Sequence, residues 1–322
     1  MIRITDTTIS ELERYNPTSE QLKNMVDYLI NVGVDFIELT ISAYKKIGEL
    51  NPHGKYVLRL DHYSEADNYS EFGKFIVKKS GSGFTNNITT EIQANDIREI
   101  NMLSQYGNLQ NVRIVGFDDI LNHDYLAAFS NLKKKVNGRI ELCPENRYFF
   151  ATAIAVEWLL SGETDIACSF SGLGSKAALE EVLMAIRLEK RHKPNLDFSN
   201  FPKMKQIIEE ITGEKTPKNK AVIGDNIFNI ESGIHANGIS KDPKLYEPFS
   251  PELVGNHRKI ILGKHSGKTA VSLKISELSL SSVNIDFEKL LLLIQKTSVE
   301  IGSSITDEMF IELYKKAKKG SV

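Results

Sequence analysis

At 322 residues, with 41% hydrophobic and 25% charged side chains, the chain is long enough to bury one large α/β domain plus a smaller one, or two medium domains, and has the composition of an ordinary soluble globular protein. A net charge of −2 gives no electrostatic reason to expect nucleic acid or an anionic membrane as partner. Two cysteines, Cys143 and Cys168, exclude a disulfide framework, and no membrane-length apolar run or basic-then-apolar leader is present, so a cytoplasmic protein is expected.

In chain order, residues 2–8 alternate apolar and polar side chains, the period of a half-buried strand. Thr18 and Gln21 then form a capping box behind Pro17, and Leu22, Met25, Val26, Leu29 and Ile30 lay one apolar stripe along the helix that follows. Gly33 supplies the stop, and residues 34–41 resume as a strand. A strand–helix–strand unit with connections this short is a parallel crossover. Further strands are expected at 55–60, 72–77, 112–115, 139–142 and 166–170, and helices at 96–106, 125–135, 151–160 and 177–189. The last helix ends in Arg187, Lys190, Arg191 and Lys193 before Pro194, positive charge where the helix dipole favours it. Repeated β/α alternation predicts an α/β fold related to the TIM barrel.

From about Asn195 the pattern changes. Pro202, Thr216-Pro217 and the glycines at 224, 233 and 238 mark an extended, turn-rich connector. A helix over 285–301 follows, and another starts at Thr306-Asp307-Glu308 and runs to the basic end Lys315, Lys316, Lys318, Lys319. The expected organisation is a barrel-like domain over 1–195, a linker or cap subdomain over 196–275 and a helical C-terminal subdomain over 276–322.

The most specific segment is punctuated by glycines and carries isolated histidines. Glu231-Ser232-Gly233-Ile234-His235 leads to Lys241-Asp242-Pro243, Tyr246-Glu247-Pro248, Pro251-Glu252-Leu253-Val254-Gly255 and Gly263-Lys264-His265-Ser266-Gly267. Almost without gaps, this stretch resembles the homocitrate synthase, isopropylmalate synthase and citramalate synthase family, nearest the nitrogen-fixation-type homocitrate synthases and, among those, an alpha subunit. The resemblance implies metal-dependent condensation of acetyl-CoA with a 2-oxo acid. It also implies that His235 and Tyr246 form an acid–base pair at the thioester, reaching into a neighbouring barrel, with Glu231, Gly233, His265 and Ser266 supporting the cap. An imidazole can accept a proton near physiological pH, and a phenol can donate to a thioester oxygen.

The first two hundred residues resemble the family's barrel with departures. Asp6-Thr7-Thr8-Ile9 opens like its first-strand signature, but Ser10, Glu11, Leu12 and Glu13 stand where the family has Arg, a metal-binding Asp, Gly and Glu. The family's His-x-His metal pair on strand seven aligns with Cys143-Pro144-Glu145, and the Gly-rich loop that normally carries a metal-coordinating Asn is shortened to Gly172-Leu173-Gly174-Ser175-Lys176. A metal that polarises a carbonyl needs several correctly placed ligands with open positions. Glu11, Cys143 and Glu145 are at most an altered ligand set. The divalent metal (Mg, Mn or Zn type) is therefore expected on a partner chain with an intact barrel. Eight βα units typically take about 250 residues, which puts strand seven near residue 190. Cys143 comes far earlier, so about two units are expected to be missing or eroded, giving a degenerate or shortened TIM-barrel-like domain and arguing against closure. Gly81-Ser82-Gly83 and Gly172-Leu173-Gly174 match phosphate-cradling loops only as far as common turns do.

The expected function is a subunit of a homocitrate synthase acting on acetyl-CoA and 2-oxoglutarate. A self-sufficient isopropylmalate or citramalate synthase-like enzyme, or a non-catalytic regulatory paralogue, stays open on sequence.

Overall fold

The computed structural model describes residues 1–78, 87–106, 110–231, 235, 238–239 and 241–318. Gly233 and the Gly81–Gly83 turn lie outside them. The chain divides into two compact units, residues 1–217 with 221–223, and residues 218–220 with 224–322.

In the first unit eight parallel strands close into a barrel in chain order: β1 (Arg3–Asp6), β2 (Phe36–Thr40), β3 (Tyr56–Leu60), β4 (Phe75–Val77), β5 (Ile88–Ala94), β6 (Asn111–Gly116), β7 (Arg139–Pro144) and β8 (Asp165–Cys168). Closure runs from Arg3 opposite Asp165 to Asp6 opposite Cys168. No unit is missing, and this corrects the expectation of an open barrel short of two units. Length was removed from the crossovers instead. Only residues 78–87 join β4 to β5, and the connections after β3 and β5 carry 3₁₀ turns, Tyr63–Tyr69 and Ile97–Tyr106, where a helix was expected at 96–106. Cys143 lies on strand seven as the alignment required.

The strand missed by sequence is β5, Ile88-Thr89-Thr90-Glu91-Ile92-Gln93-Ala94. Its polar residues conceal the pattern because the inside of this barrel is itself charged. The helix Ser19–Asn31 forms as read, with the Thr18–Gln21 capping box closed and Leu22, Met25, Val26 and Leu29 buried. The helices Tyr125–Lys135 and Ala151–Leu160 also occur where periodicity put them. The connector after Asn195 holds a helix, Phe201–Thr212, that was read as extended. Its Phe201 stacks on Phe198, ring centroids 5.1 Å apart, and packs against Phe170 at 5.4 Å. Stacked aromatic burial outweighs the Pro202 signal, since proline is tolerated in a first helical turn.

The second unit has a two-stranded parallel pair, β9 (Asn229–Ile230) with β10 (Lys259–Ile260), and the helices Lys268–Glu277, Phe287–Ile301 and Asp307–Ala317. Asp286 and Thr306 cap the last two by accepting from the amides of Lys289 and Met309. Leu262, Val271, Leu290, Ile294 and Phe310 form their own core, each fully buried aliphatic contributing roughly 1.5–3 kcal/mol. The buried Lys274 is held by Asp307 at 2.6 Å and by Glu277. Among the described residues no helix is long and apolar enough to cross a membrane.

Candidate functional site

The barrel interior is occupied by ions. Arg113 of β6 has no exposed side-chain area; its Nε donates to Glu141 Oε2 at 2.7 Å and its Nη1 to Glu38. Arg59 donates to Glu38 at 2.7 Å and, through both terminal nitrogens, to Glu91 at 2.9 and 2.6 Å. Burial alone would raise Glu38, but Arg59 and Arg113 hold its carboxyl down at about 2. Glu38, Arg59 and Arg113 are each the single charge among apolar neighbours in their strands, inward by the period-two rule, whereas Glu141 shares β7 with Arg139 and Glu91 lies in the polar β5. That was the signal available in the sequence for those three, and it went unused.

At the carboxyl ends of the strands, Asp6 terminates β1 and accepts from the Thr8 amide at 2.9 Å and the Thr8 hydroxyl at 2.8 Å. Complete burial pushes its carboxyl up to about 7, against those hydrogen bonds and with help from Glu38 and Glu180. Glu11 sits one turn on, its carboxyl against Gly174, whose φ of +70° and missing Cβ both permit the contact. The Gly-rich loop then delivers Lys176, whose Nζ donates to Glu145 at 2.8 Å; Glu145 also accepts from Gln93 at 2.9 Å. Lys176 is within electrostatic reach of Glu11 and Cys143 as well.

Of the three candidate ligands, Glu145 bonds directly to the Lys176 ammonium, and Glu11 and Cys143 feel its charge. Burial pushes the Cys143 thiol up to about 11, with Lys176 only partly opposing. Glu145 is already neutralised, and among the described residues no three His, Cys, Asp or Glu side chains are grouped to hold a metal ion. These residues do not fit a divalent metal: a resident cation stands among them. Ser10, in the place of the family's arginine, donates its hydroxyl to the Glu38 carbonyl at 3.1 Å and offers nothing to a substrate carboxylate.

The second unit brings the cap residues into two groups. His235 is exposed, and its ring centroid lies 5.8 Å from that of Tyr246 at an interplanar angle of 52°. Tyr246 is 46% exposed and lies against Gly238. Its backbone is fixed by a 3₁₀ turn capped by Asp242 and by the neighbouring Glu247, which Arg258 grips through two bonds of 2.8 and 2.6 Å. In the other group Glu231 Oε1 accepts from the His265 amide at 3.4 Å, and a methyl at Gly263 would lie 2.6 Å from that oxygen. Ser266 is buried; it accepts from the Gly263 amide at 2.9 Å, and its carbonyl accepts from Gln295. His265 is exposed. Glu231 and Ser266 thus shape the loop, whereas the rings of His235 and Tyr246 are open to a ligand.

The fold defines a class: a closed parallel βα barrel followed by a separate post-barrel unit. An HMG-CoA lyase from Acenitobacter baumannii shares the barrel with a TM-score of 0.52 at 11% identity, covering 67% of this chain and 93% of that one. Residues 222–318 match the homocitrate synthase post-HMGL domain-like family. Across 98% of this chain and 96% of its own length, the homocitrate synthase omega subunit of Clostridium pasteurianum is 31% identical. The chain belongs to the homocitrate synthase family. That relative bears the designation omega, where sequence pointed to an alpha type. Homocitrate synthase AksA of Methanocaldococcus jannaschii is 37% identical over 57% of this chain and 45% of its own length, and the chain spans about half or less of the other relatives it matches.

Proposed function

We propose that this chain is one subunit of a two-component homocitrate synthase, placed in nitrogen fixation by its resemblance. The complex converts acetyl-CoA, 2-oxoglutarate and water to homocitrate and CoA. A synthase-like partner with an intact barrel holds the 2-oxo acid and the divalent metal, and this chain offers His235 and Tyr246 to that partner's pocket. One observation carries the reading: an imidazole and a phenol lie beside each other, tilted at 52° and exposed, in one unit, while Lys176 occupies the mouth of the chain's own barrel.

His235 takes a proton from the acetyl methyl group as the Tyr246 hydroxyl donates to the thioester oxygen. The resulting carbon nucleophile bonds to the keto carbon, whose oxygen ends as a hydroxyl. Water then cleaves the thioester and the CoA thiol leaves. A self-sufficient isopropylmalate or citramalate synthase would need its own metal, which the Lys176 arrangement disfavours.

Thiol release from acetyl-CoA tests this. The chain alone, given Mg²⁺ or Mn²⁺ and any 2-oxo acid, should release none, and co-expression with the intact-barrel partner should restore turnover. Turnover by the isolated chain would overturn the two-component reading. Full activity of a His235→Ala complex would make the chain structural or regulatory.

A further inference from the structure

The amino-terminal mouth of the barrel, the end opposite Lys176, contains a cavity of about 500 Å³. It is lined where strands begin: Phe36 opens β2, Lys55 precedes β3, Lys74 precedes β4, Asn87 precedes β5, Asn111 opens β6 and Arg139 opens β7. TIM barrels place chemistry at the other end and normally close this one for stability. A cavity of ligand size here, walled by cations, is not explained by the synthase reaction.

The charges do not balance. Inside the barrel Glu38, Glu91 and Glu141 face Arg59 and Arg113, and Lys74 matches the remaining carboxylate from 4.0 Å at Glu141, its amine held 4.5 Å from the Phe36 ring centroid. Arg3 satisfies Asp165 through two bonds of 2.8 and 2.7 Å, so Arg139, with its Nε 3.4 Å from the same carboxylate, is a second cation on one anion. Lys55 is exposed and has no carboxylate partner among the described residues. Two positive charges are left facing one cavity that also offers an aromatic wall.

We propose that this cavity binds a small dianion, with Lys55 and Arg139 holding its charged oxygens and the Phe36 ring its carbon chain. The same chemistry can come from an organic polycarboxylate or from inorganic phosphate, and the experiment separates them. The full chain in low-salt buffer is titrated with citrate, with phosphate and with sodium chloride of matched ionic strength, followed by calorimetry and melting temperature. A saturable response to citrate, weakened at least tenfold in Lys55→Gln/Arg139→Gln, establishes the site with an organic occupant. A response confined to phosphate and equally lost in the variant establishes it with an inorganic one. If sodium chloride reproduces the shift, or the variant binds as the native chain does, the proposal fails. Both side chains are at the surface or half-exposed, so the ligand-free variant should melt close to the native chain; should it not fold, Lys55→Gln alone carries the same test. No turnover is needed, so the result is independent of the proposed synthase role.

Discussion

The charges inside the barrel and the His235–Tyr246 pair of the post-barrel unit are treated in opposite ways. In the barrel Arg113, Arg59, Glu38, Glu91 and Glu141 consume one another, and Lys176 consumes Glu145. In the post-barrel unit the exposed ring of His235 lies 5.8 Å from that of the half-exposed Tyr246, which rests against Gly238. A catalytic group must be available to a substrate, so a side chain saturated by its own protein serves the fold. The barrel holds its interior charges in ion pairs, and the post-barrel unit leaves the rings of His235 and Tyr246 exposed.

The strongest break of this contrast is Arg113→Met. It leaves Glu38 and Glu141 buried with fewer partners, and the loss should be about 3–5 kcal/mol in a urea titration; a loss under about 1 kcal/mol would mean the network is decorative. His235→Ala should do the reverse. In the reconstituted complex it should cost about 10²–10⁴ in turnover, while urea stability of the chain itself stays within about 0.5 kcal/mol.

Asp6 sharpens the comparison through pH. Its folded value, about 7, lies above the ordinary 3.8, so the native barrel binds this proton more tightly than the unfolded chain does. The associated stability is complete below pH 3.8 and is lost as pH rises through about 7, with a slope of at most ~1.4 kcal/mol per pH unit in between. Stability should therefore fall from pH 5 to pH 7.5, and Asp6→Asn should flatten that fall; an unchanged slope in the variant would assign it to another group. The smallest effect concerns metal. EDTA, or millimolar Mn²⁺, should leave the melting temperature of the isolated chain unmoved, whereas a shift of several degrees would show that the barrel holds a metal despite Lys176.

Much of the fold was legible because helix periodicity and caps are local. The Thr18–Gln21 box, the helices Tyr125–Lys135 and Ala151–Leu160, and the Thr306 cap needed no tertiary information. β5 was not legible, because Thr89, Thr90, Glu91 and Gln93 look like a polar loop until Arg59 of β3 and Arg113 of the adjacent β6 are known to face Glu91 inside the barrel. The helix Phe201–Thr212 escaped because Pro202 reads as a breaker, while its Phe201 is stabilised by Phe198 and Phe170. In the site, His235 and Tyr246 could be paired from a resemblance alone, and Lys176 could not be assigned at all.

The sequence alone settled that a family-like cap follows an altered barrel, because motif residues such as Glu231, His235 and Tyr246 and substitutions such as Ser10 and Glu11 are matters of identity. Only the tertiary structure decided whether the barrel closes and which cation faces Glu145. Closure depends on β1 meeting β8 across 162 residues of chain, from Arg3 to Asp165. The resident cation depends on a shortened loop carrying Lys176 back to Glu145. Both are long-range contacts, and local pattern does not encode which distant charge a residue will face.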